Sequence, residues 1–331
     1  MKPWKKGAMA ILGGCAMALA PVGFAAPISE TPFTAIEVVT SVNYGTAVDN
    51  GTNLLILNAR ESAIVTASDP RVAGIRTVTC SGIWHSSKVG HLWGSFRLSS
   101  VGGTWDGYWQ GTTSFENGHV LKSLETTAEG SGVYEGMVLR ATTTTVDSGP
   151  IHWAGCIIKD RQGPRPYQLK GLRVDSAMNV KGVLLDPLTL RPTGTCRGLT
   201  WIVVGAQGEE ASYLGRATEQ GLGLLDPVTG VCSMMGTSIS AEGEQRDVLH
   251  WVAQATTDLR TLVTTNLGRA VITAEVHFAG GTGRFEGATG GFSGRVTQLI
   301  SPTPTPALFQ NTFQYEAAGT IRFNGPPAGG E

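Results

Sequence analysis

A repeated glycine and aromatic motif constrains this chain more than any other feature of its sequence. The run Gly130–Gly136, Gly-Ser-Gly-Val-Tyr-Glu-Gly, matches Gly281–Gly287, Gly-Thr-Gly-Arg-Phe-Glu-Gly. Each copy precedes an aromatic segment that ends in Ala-Gly, at Trp153–Gly155 and at Tyr315–Gly319. Glycines permit positive φ or close backbone approach at a hairpin or bulge, and an adjacent aromatic ring covers the backbone there. The motif therefore predicts duplication of one β unit whose strands bend enough to close a small barrel.

Segments typical of β-strands recur through both halves of the chain. They place β-branched or aromatic residues at period two and are separated by Gly, Asp, Asn or Ser. With 45 glycines and a charged fraction of 15%, the composition favours an all-β chain. In the first half the segments are Gly74–Trp84, His91–Leu98, Gly103–Phe115, His119–Ala128, Val133–Thr145 and Ile151–Ile158. In the second half they are Gly171–Leu185, Gly198–Val204, Ser212–Thr218, Val231–Ala241, Val248–Thr256, Arg269–Phe278, Arg284–Val296 and Phe313–Phe323.

The fold class that these segments predict is all-β, with two tandem antiparallel β-barrels of about eight strands each. The run Arg161–Pro166 contains two prolines and a glycine and does not easily continue a strand, so the domain boundary is placed there. The first barrel is expected to span residues 26–162 and the second residues 163–325, followed by a disordered tail at 326–331. A proline- and threonine-rich insertion around Ser301–Pro306 is expected to form an extended loop.

The first residues have the order of a secretory signal peptide. Lys2, Lys5 and Lys6 precede an apolar stretch that ends in small residues near Ala25, so residues 1–25 are expected to be removed on export to the periplasm or the exterior. An alternative is lipoprotein processing at Cys15, which would anchor the chain to a membrane. Beyond this segment, no apolar run approaches the roughly 20 residues that a spanning helix needs.

Charge and motifs exclude several function classes. Removal of the three lysines changes the formal charge from −1 to −4, which does not favour nucleic acid or an anionic membrane as a partner. The mature chain lacks Gly-x-Ser-x-Gly, P-loop, His-Glu-x-x-His and Rossmann patterns. No Cys-x-x-Cys or His/Cys spacing indicates a metal site, so neither a metal nor a cofactor is predicted. Whether the protein is an enzyme, and its oligomeric state, stay undetermined by sequence.

Four cysteines follow the signal segment, and an even number in an exported protein predicts two disulfides. Three connectivities are possible. The favoured one joins Cys80 to Cys156 and Cys196 to Cys232, one bridge in each half, because a barrel brings its first and last strands together. The alternative is that these cysteines are buried free thiols.

The second copy of the motif lies in a segment with a family resemblance. Gly280–Gly290 resembles the Gly-Gly-Thr-Gly-x-Phe-x-x-Ala-x-Gly signature of the dirigent and allene oxide cyclase-like barrel proteins, and Tyr213–Arg216 and Ser238–Gly243 resemble segments of their bacterial secreted relatives. The resemblance covers residues 195–323, and more weakly residues 74–158. It implies eight-stranded antiparallel barrels with a central cavity. Dirigent relatives steer radical coupling and cyclase relatives guide ring closure, but the matching residues are structural and carry no catalytic role across.

Tryptophans are the strongest candidates for ligand contacts. The first half holds five of the seven tryptophans that follow the signal segment, and Trp93, Trp105, Trp109 and Trp153 are predicted to line a pocket. By alternation, Trp105 and Trp109 share one face of a strand. The competing interpretation is that the indoles fill the core of the barrel.

Three titratable residues are weaker candidates for catalysis. His91, close to His85 and to tryptophans, could act as a general base at a barrel mouth, and packing in a hairpin is the alternative. Glu135 and Glu286 occupy equivalent places in the repeat. If the adjacent aromatic points outward, these carboxylates enter the barrel, where desolvation would raise their pKa. Otherwise Glu286 pairs with Arg284 on a solvent-facing surface.

Two functions from different classes fit these features. The first is a secreted barrel that binds a small apolar or aromatic molecule and, in an enzymatic version, guides its cyclisation or coupling through shape. The second is a non-catalytic structural or interaction module of the cell envelope, with solid barrels and with residues 299–310 as a contact loop. An open cavity lined by tryptophan favours the first, and interdigitated side chains favour the second.

Overall fold

The computed structural model describes residues 30–49, 53–85, 89–159, 163–181, 200–211, 213–226, 229–240, 247–257, 269–301 and 309–323. The signal segment, Cys15, Cys196, most of the loop at 299–310 and the tail at 326–331 lie outside these ranges. None of the described segments forms a helix long and apolar enough to cross a membrane.

The first half of the chain forms one antiparallel sheet. Its strands are β1 (Glu30–Asn43), β2 (Thr46–Asp49), β3 (Asn53–Ala67), β4 (Gly74–His85), β5 (Gly90–Ser100), β6 (Gly103–Glu116), β7 (His119–Gly132), β8 (Met137–Val146) and β9 (Ile151–Lys159). Their order is β1-β9-β8-β7-β6-β5-β4-β3-β2. In addition, β1 pairs with β3, from Ala35 opposite Ala67 to Asn43 opposite Arg60.

The second half forms a closed barrel in which each strand pairs with its neighbours in sequence. The strands are β10 (Arg165–Lys181), β11 (Thr200–Ala211), β12 (Gly215–Leu225), β13 (Val231–Ser240), β14 (Val248–Thr257), β15 (Arg269–Thr282), β16 (Thr289–Ser301) and β17 (Phe309–Arg322). Closure comes from β10 and β17, which pair from Arg165 opposite Ile321 to Met178 opposite Phe309. The all-β class and a closed eight-stranded barrel are therefore confirmed.

The two copies of the glycine motif occupy equivalent places. Gly130–Gly136 links β7 to β8, and Gly281–Gly287 links β15 to β16, with a single 3-10 turn at Gly283–Phe285. If the short hairpin strand β2 is left out, each copy joins the sixth strand of its half to the seventh. Each aromatic segment that follows lies on the last strand of its half, β9 or β17. The structure thus bears out the equivalence expected from the repeat.

The aromatic residue of each copy closes the lower end of its half, meaning the end that carries the glycine motif. Tyr134 is 3% exposed, stacks on Trp105 with ring centroids 5.0 Å apart, and donates a hydrogen bond to the carbonyl of Val101. Phe285 is fully buried in the corresponding cluster of the second half. That cluster contains Tyr167, Leu214, Ala217, Leu249, Phe278, Phe285, Ala288 and Ile321.

The outer faces of the two halves pack against each other. Leu55, Leu57, Ile83 and Trp93 of the first half form one buried cluster with Leu224, Val252 and Ala279 of the second half. The Tyr108 ring stacks on the His277 ring with centroids 4.1 Å apart. Polar contacts surround this inter-half interface: Arg140 pairs with Glu286, and Glu129 pairs with Arg322 at 3.2 Å.

Strands β1 to β3 were not predicted from the sequence, and their presence makes the predicted Cys80–Cys156 disulfide wrong. Both cysteines are free and buried. Cys80 lies on β4 and Cys156 on β9, and β1 and β3 lie between those strands in the ring of pairings. Cys80 belongs to the core cluster, whereas Cys156 pairs in register with Arg140. Cysteines so placed do not reach the short Cα separation that a disulfide requires.

Cys232 is also free and buried, and its predicted partner Cys196 lies outside the described residues. The predicted boundary run needs a smaller correction, because β10 begins inside it at Arg165. Pro166 lies opposite Thr320 in the ladder between β10 and β17.

Candidate functional site

Three of the four predicted ligand-binding tryptophans point into the interior of the first half. Trp105, Trp109 and Trp153 are at most 3% exposed and share one cluster with Phe33, Phe96 and Leu98. The indole N–H of Trp105 donates to the carbonyl of Arg71 at 2.7 Å. The alternation predicted for Trp105 and Trp109 is confirmed, but Trp105 fills the core beneath Tyr134 and does not line an open pocket.

Trp93 does not lie in the interior of the first half. It is fully buried in the inter-half interface, where its N–H donates to the hydroxyl of Ser233 at 2.8 Å. On β5, Leu92, Phe96 and Leu98 point to the inner face, and Trp93 points to the opposite, outer face. The prediction that Trp93 lines a pocket inside the barrel was therefore wrong, because side chains alternate between the two faces of a strand.

His91 shares the outward phase of Trp93 on β5, so it does not occupy the barrel interior where a general base was predicted. It is partly buried, and burial lowers its pKa, with a smaller contribution from His85. His85 pairs through Nδ1 with the side-chain oxygen of Asn53. These contacts fit the alternative of hairpin packing.

Glu135 and Glu286 lie outside both interiors, because the aromatic residues Tyr134 and Phe285 point inward. Glu135 is exposed at the edge of a surface cavity of about 360 Å³ that also contacts Glu129 and Arg322. Glu286 pairs with Arg140 of the first half. The predicted partner of Glu286, Arg284, instead pairs with Asp247 at 2.8 Å. Both carboxylates therefore have surface positions.

A carboxyl that sequence analysis did not single out lies inside the closed barrel of the second half. Glu219 lies on the same face of β12 as Ala217 and Gly221, whereas Leu222 and Leu224, on the opposite face, contact the inter-half interface. Ser238 of β13 donates a hydrogen bond to Glu219 Oε1 at 3.3 Å. Burial raises the pKa of Glu219, and the hydrogen bond from Ser238 lowers it by less. By its accessible surface the residue as a whole is partly buried.

Small residues line part of the described inner face near Glu219. They alternate along the inner faces of neighbouring strands, at Gly221, Gly223, Gly236, Ala253, Ala255 and Ala274. The indole of Trp251 lies directly over two of these glycines. A Cβ added at Gly236 would lie 2.2 Å from Trp251 Cζ2, and one added at Gly221 would lie 3.0 Å from Cη2, so larger residues would not fit there. The indole of Trp251 is only partly buried, so it presents a flat apolar surface to the barrel interior.

The lower end of this interior is closed by aromatic rings. Tyr167 is 2% exposed, with ring centroids 5.0 Å from Phe278 and 5.6 Å from Phe292. Burial raises the pKa of the Tyr167 phenol, and Glu219 adds to that shift. Tyr167 therefore remains a neutral phenol near neutral pH. The buried thiol of Cys232, with a pKa raised to about 12, is equally un-ionised and is not an activated nucleophile.

The arrangement combines one buried acid with an apolar enclosure. A carboxyl of raised pKa can donate as well as accept a hydrogen bond, and it can transfer a proton. Within the described residues, no group of three His, Cys, Asp or Glu side chains is positioned to hold a metal ion. The sequence signal for the site was the inward alternation Ala217, Glu219, Gly221, Gly223, which places a lone acid among small residues.

Comparisons of the chain with protein-family models, with curated proteins and with solved structures found no match. The resemblance of Gly280–Gly290 to the dirigent and allene oxide cyclase-like signature therefore stays a prediction.

Proposed function

We propose that the protein binds a small apolar or aromatic molecule inside the barrel of the second half, with Glu219 holding one polar oxygen of that molecule. The observation that carries the proposal is the deeply placed carboxyl of Glu219, with small residues on the neighbouring inner faces. Enclosed, mostly apolar interiors with one or two polar groups are the usual form of small-molecule sites.

The chemistry of the wall supports a ligand with one polar end. Trp251 and the alanines of β14 offer an apolar surface, while Glu219 and Ser238 supply hydrogen-bonding groups on neighbouring strands. Burial raises the pKa of Glu219 and so favours its protonated form, which can donate a hydrogen bond to a hydroxyl or carbonyl oxygen of the ligand. In an enzymatic version the same carboxyl would give or take a proton while the enclosure fixes the shape of the ligand.

The finer architecture belongs to the same proposal. The pairing of β1 with β3 supports a second barrel in the first half, and the equivalent motif positions support tandem duplication of a dirigent or allene oxide cyclase-like unit. Export of the chain after removal of residues 1–25 agrees with a function outside the cytoplasm.

A pair of probes tests the role of Glu219. We expect 1-naphthol, which has one hydroxyl, to bind more tightly than naphthalene by about threefold to tenfold, since one hydrogen bond contributes about 0.5–1.5 kcal/mol. In Glu219→Met this preference should disappear while the apolar contact remains. Binding is followed by titration calorimetry and by tryptophan fluorescence on the full-length mature protein.

The matched control is Glu275→Met, which removes an exposed carboxylate from β15. It should leave the preference for 1-naphthol unchanged. If neither probe binds, and native mass spectrometry of protein from its own host finds no retained molecule, the barrel is solid. That result would reject the binding function and favour the structural or interaction module.

A further inference from the structure

A buried ion pair organises the interior of the first half. Glu37 is fully buried, and both of its oxygens accept hydrogen bonds from Arg76 Nη1, at 3.0 and 2.9 Å. Trp153 Nε1 donates to the same carboxylate at 2.8 Å. The guanidinium of Arg76 also lies 4.5 Å from the centroid of Phe96 and 4.7 Å from that of Trp153. Arg76 is therefore held in one position by three neighbouring groups, the Glu37 carboxylate and the rings of Phe96 and Trp153.

In the described part of the chain, two N–H donors of this interior have no acceptor. They are Arg76 Nε, on a residue 4% exposed, and Trp109 Nε1, on a residue 3% exposed. Leaving a buried donor unpaired costs about 1–3 kcal/mol, and more when the donor is charged. Buried polar groups in native proteins nearly always have a partner, so both atoms indicate an acceptor that comes from outside the chain.

The interior is open to solvent at the end opposite the glycine motif. Val39 and Val42 lie opposite Ala63 and Glu61, residues of the inner face of β3. Cross-strand partners in an antiparallel pair face the same side of the sheet. Val39 and Val42 therefore face inward, yet they are 38% and 42% exposed. Two accessible valines on an inner face provide an entrance and an apolar surface.

The same open end carries a lysine on the inner face. Lys122 of β7 lies opposite Thr113 and Thr145, which are both buried. No ion pair within 4 Å joins Lys122 to Glu61 in the described part of the chain. Burial raises the pKa of Glu61, and the charge of Lys122 opposes that shift. Arg76 balances Glu37, so the interior holds Lys122 as a second cation near Glu61, together with the two unpaired N–H donors.

We propose that the interior of the first half is a binding site for a small organic acid. Its carboxylate would accept hydrogen bonds from Arg76 Nε and Trp109 Nε1, with Lys122 offsetting its charge. Its apolar body would contact Val39 and Val42. This site is separate from the barrel that contains Glu219, and it does not rest on the function proposed for that barrel.

The test uses cinnamate and cinnamyl alcohol, which differ in the carboxylate, with the full-length mature protein. Indole side chains are labelled with nitrogen-15, and the Nε1–H resonance of Trp109 is assigned from its absence in Trp109→Phe. We expect cinnamate to shift this resonance in a saturable way and to bind at least tenfold more tightly than the alcohol. The Trp93 resonance, from the inter-half interface, serves as the internal reference and should not shift.

Two variants localise the effect. Lys122→Met should weaken cinnamate binding about fivefold or more, whereas Lys159→Met, which removes an exposed lysine from the other end, should not change it. Trp109→Phe keeps an aromatic ring but loses the donor, and it should weaken binding about tenfold, as expected for a hydrogen bond to a charged group. Near-ultraviolet circular dichroism checks that each variant is folded.

Equal affinity for acid and alcohol would overturn the proposal, as would binding that Lys122→Met leaves unchanged. An unshifted Trp109 resonance at saturating cinnamate would show that the two donors are satisfied by water only, which also overturns it. Each result is independent of Glu219→Met, because that residue lies in the other half of the chain.

Discussion

Glu37 and Arg76 show how strongly single residues determine the interior of the first half. Both side chains are removed from solvent, with exposures of 0% and 5%. Two charges in such a place are costly to desolvate, and only their mutual contact and the hydrogen bond from Trp153 offset that cost. The pair therefore contributes less to net stability than its short distances suggest, while removal of one member leaves an unpaired buried charge.

We expect Arg76→Met to lower the free energy of unfolding by about 3–5 kcal/mol, because Glu37 would lose its counter-ion. The double variant Glu37→Leu/Arg76→Met removes both charges and should regain much of that loss. Urea denaturation followed by tryptophan fluorescence measures both values. Glu37→Leu alone completes the comparison: if the double variant loses as much stability as the two single variants added together, the pair is not energetically coupled.

At the scale of secondary-structure elements, the turn between the sixth and seventh strands closes each half. A buried aromatic closes the lower end, and glycines allow the backbone to approach it. A Cβ on Gly130 would lie 2.3 Å from the carbonyl oxygen of Tyr134, and a Cβ on Gly281 would lie 2.9 Å from Cβ of Phe285. Gly281 also has a φ of +158°, at the limit of the region that favours glycine. The two copies of the motif therefore contribute in the same way to packing.

Removal of the aromatic ring should be costly in the second half. Phe285→Ala is expected to lower the free energy of unfolding by about 3–5 kcal/mol, since it leaves a cavity beneath fully buried neighbours. Thr282 is exposed and makes no capping hydrogen bond. Thr282→Ala should therefore change the free energy of unfolding by less than about 0.5 kcal/mol. Thermal and urea denaturation compare the two. Similar small effects would mean that Phe285 does not close the barrel.

At the scale of the whole molecule, two histidines lie between the halves. His277 stacks on Tyr108, and His250 Nε2 lies 3.6 Å from Glu125 Oε2. Burial lowers the pKa of both histidines, although Glu125 partly opposes this for His250 and Glu275 for His277. The packed state therefore favours neutral imidazoles, and protonation favours separation or unfolding.

The sign of the pH dependence follows from these directions. A histidine whose pKa is lowered by packing stabilises the packed state fully above its ordinary pKa of about 6.5, and this contribution is lost as the pH falls from there toward the lowered value. We expect the unfolding temperature to fall between about pH 6.5 and pH 5, and less so in His277→Phe, which keeps a ring on Tyr108. His152→Gln, at an exposed position, should leave the slope unchanged. An unchanged slope in His277→Phe would contradict the assignment.

The sequence predicted much of the fold because its signals were local. The glycine motif and period-two alternation gave the class, the equivalence of the two copies and the inward direction of Trp105 and Trp109. Strands β1 and β3 were missed, and the disulfide prediction failed with them, since Cys80 and Cys156 were assigned to strands assumed to be neighbours. Without β1 and β3, the first and last strands of the half could not be identified.

The candidate sites depended on long-range placement and were harder to predict. The outward phase of Trp93 was readable from Leu92 and Phe96, but its burial required the second half to cover that face. Glu219 was not predicted as a site residue, because a single acid in a strand is ordinarily exposed to solvent. Only closure of the barrel buries this carboxyl. Glu37 meets Arg76 across β1 and β4, which are separated in the ring by β3.

Pairing between terminal strands has a consequence for the order of folding. Glu30 pairs with Ile158 and Arg165 with Ile321, so these pairings join residues at opposite ends of each half. Contacts of such high sequence separation slow folding, because a long loop must close before they form. Neither half can complete these pairings until its last strand has been synthesised. Because β9 precedes β17 in the chain, the first half can complete its pairings before the second.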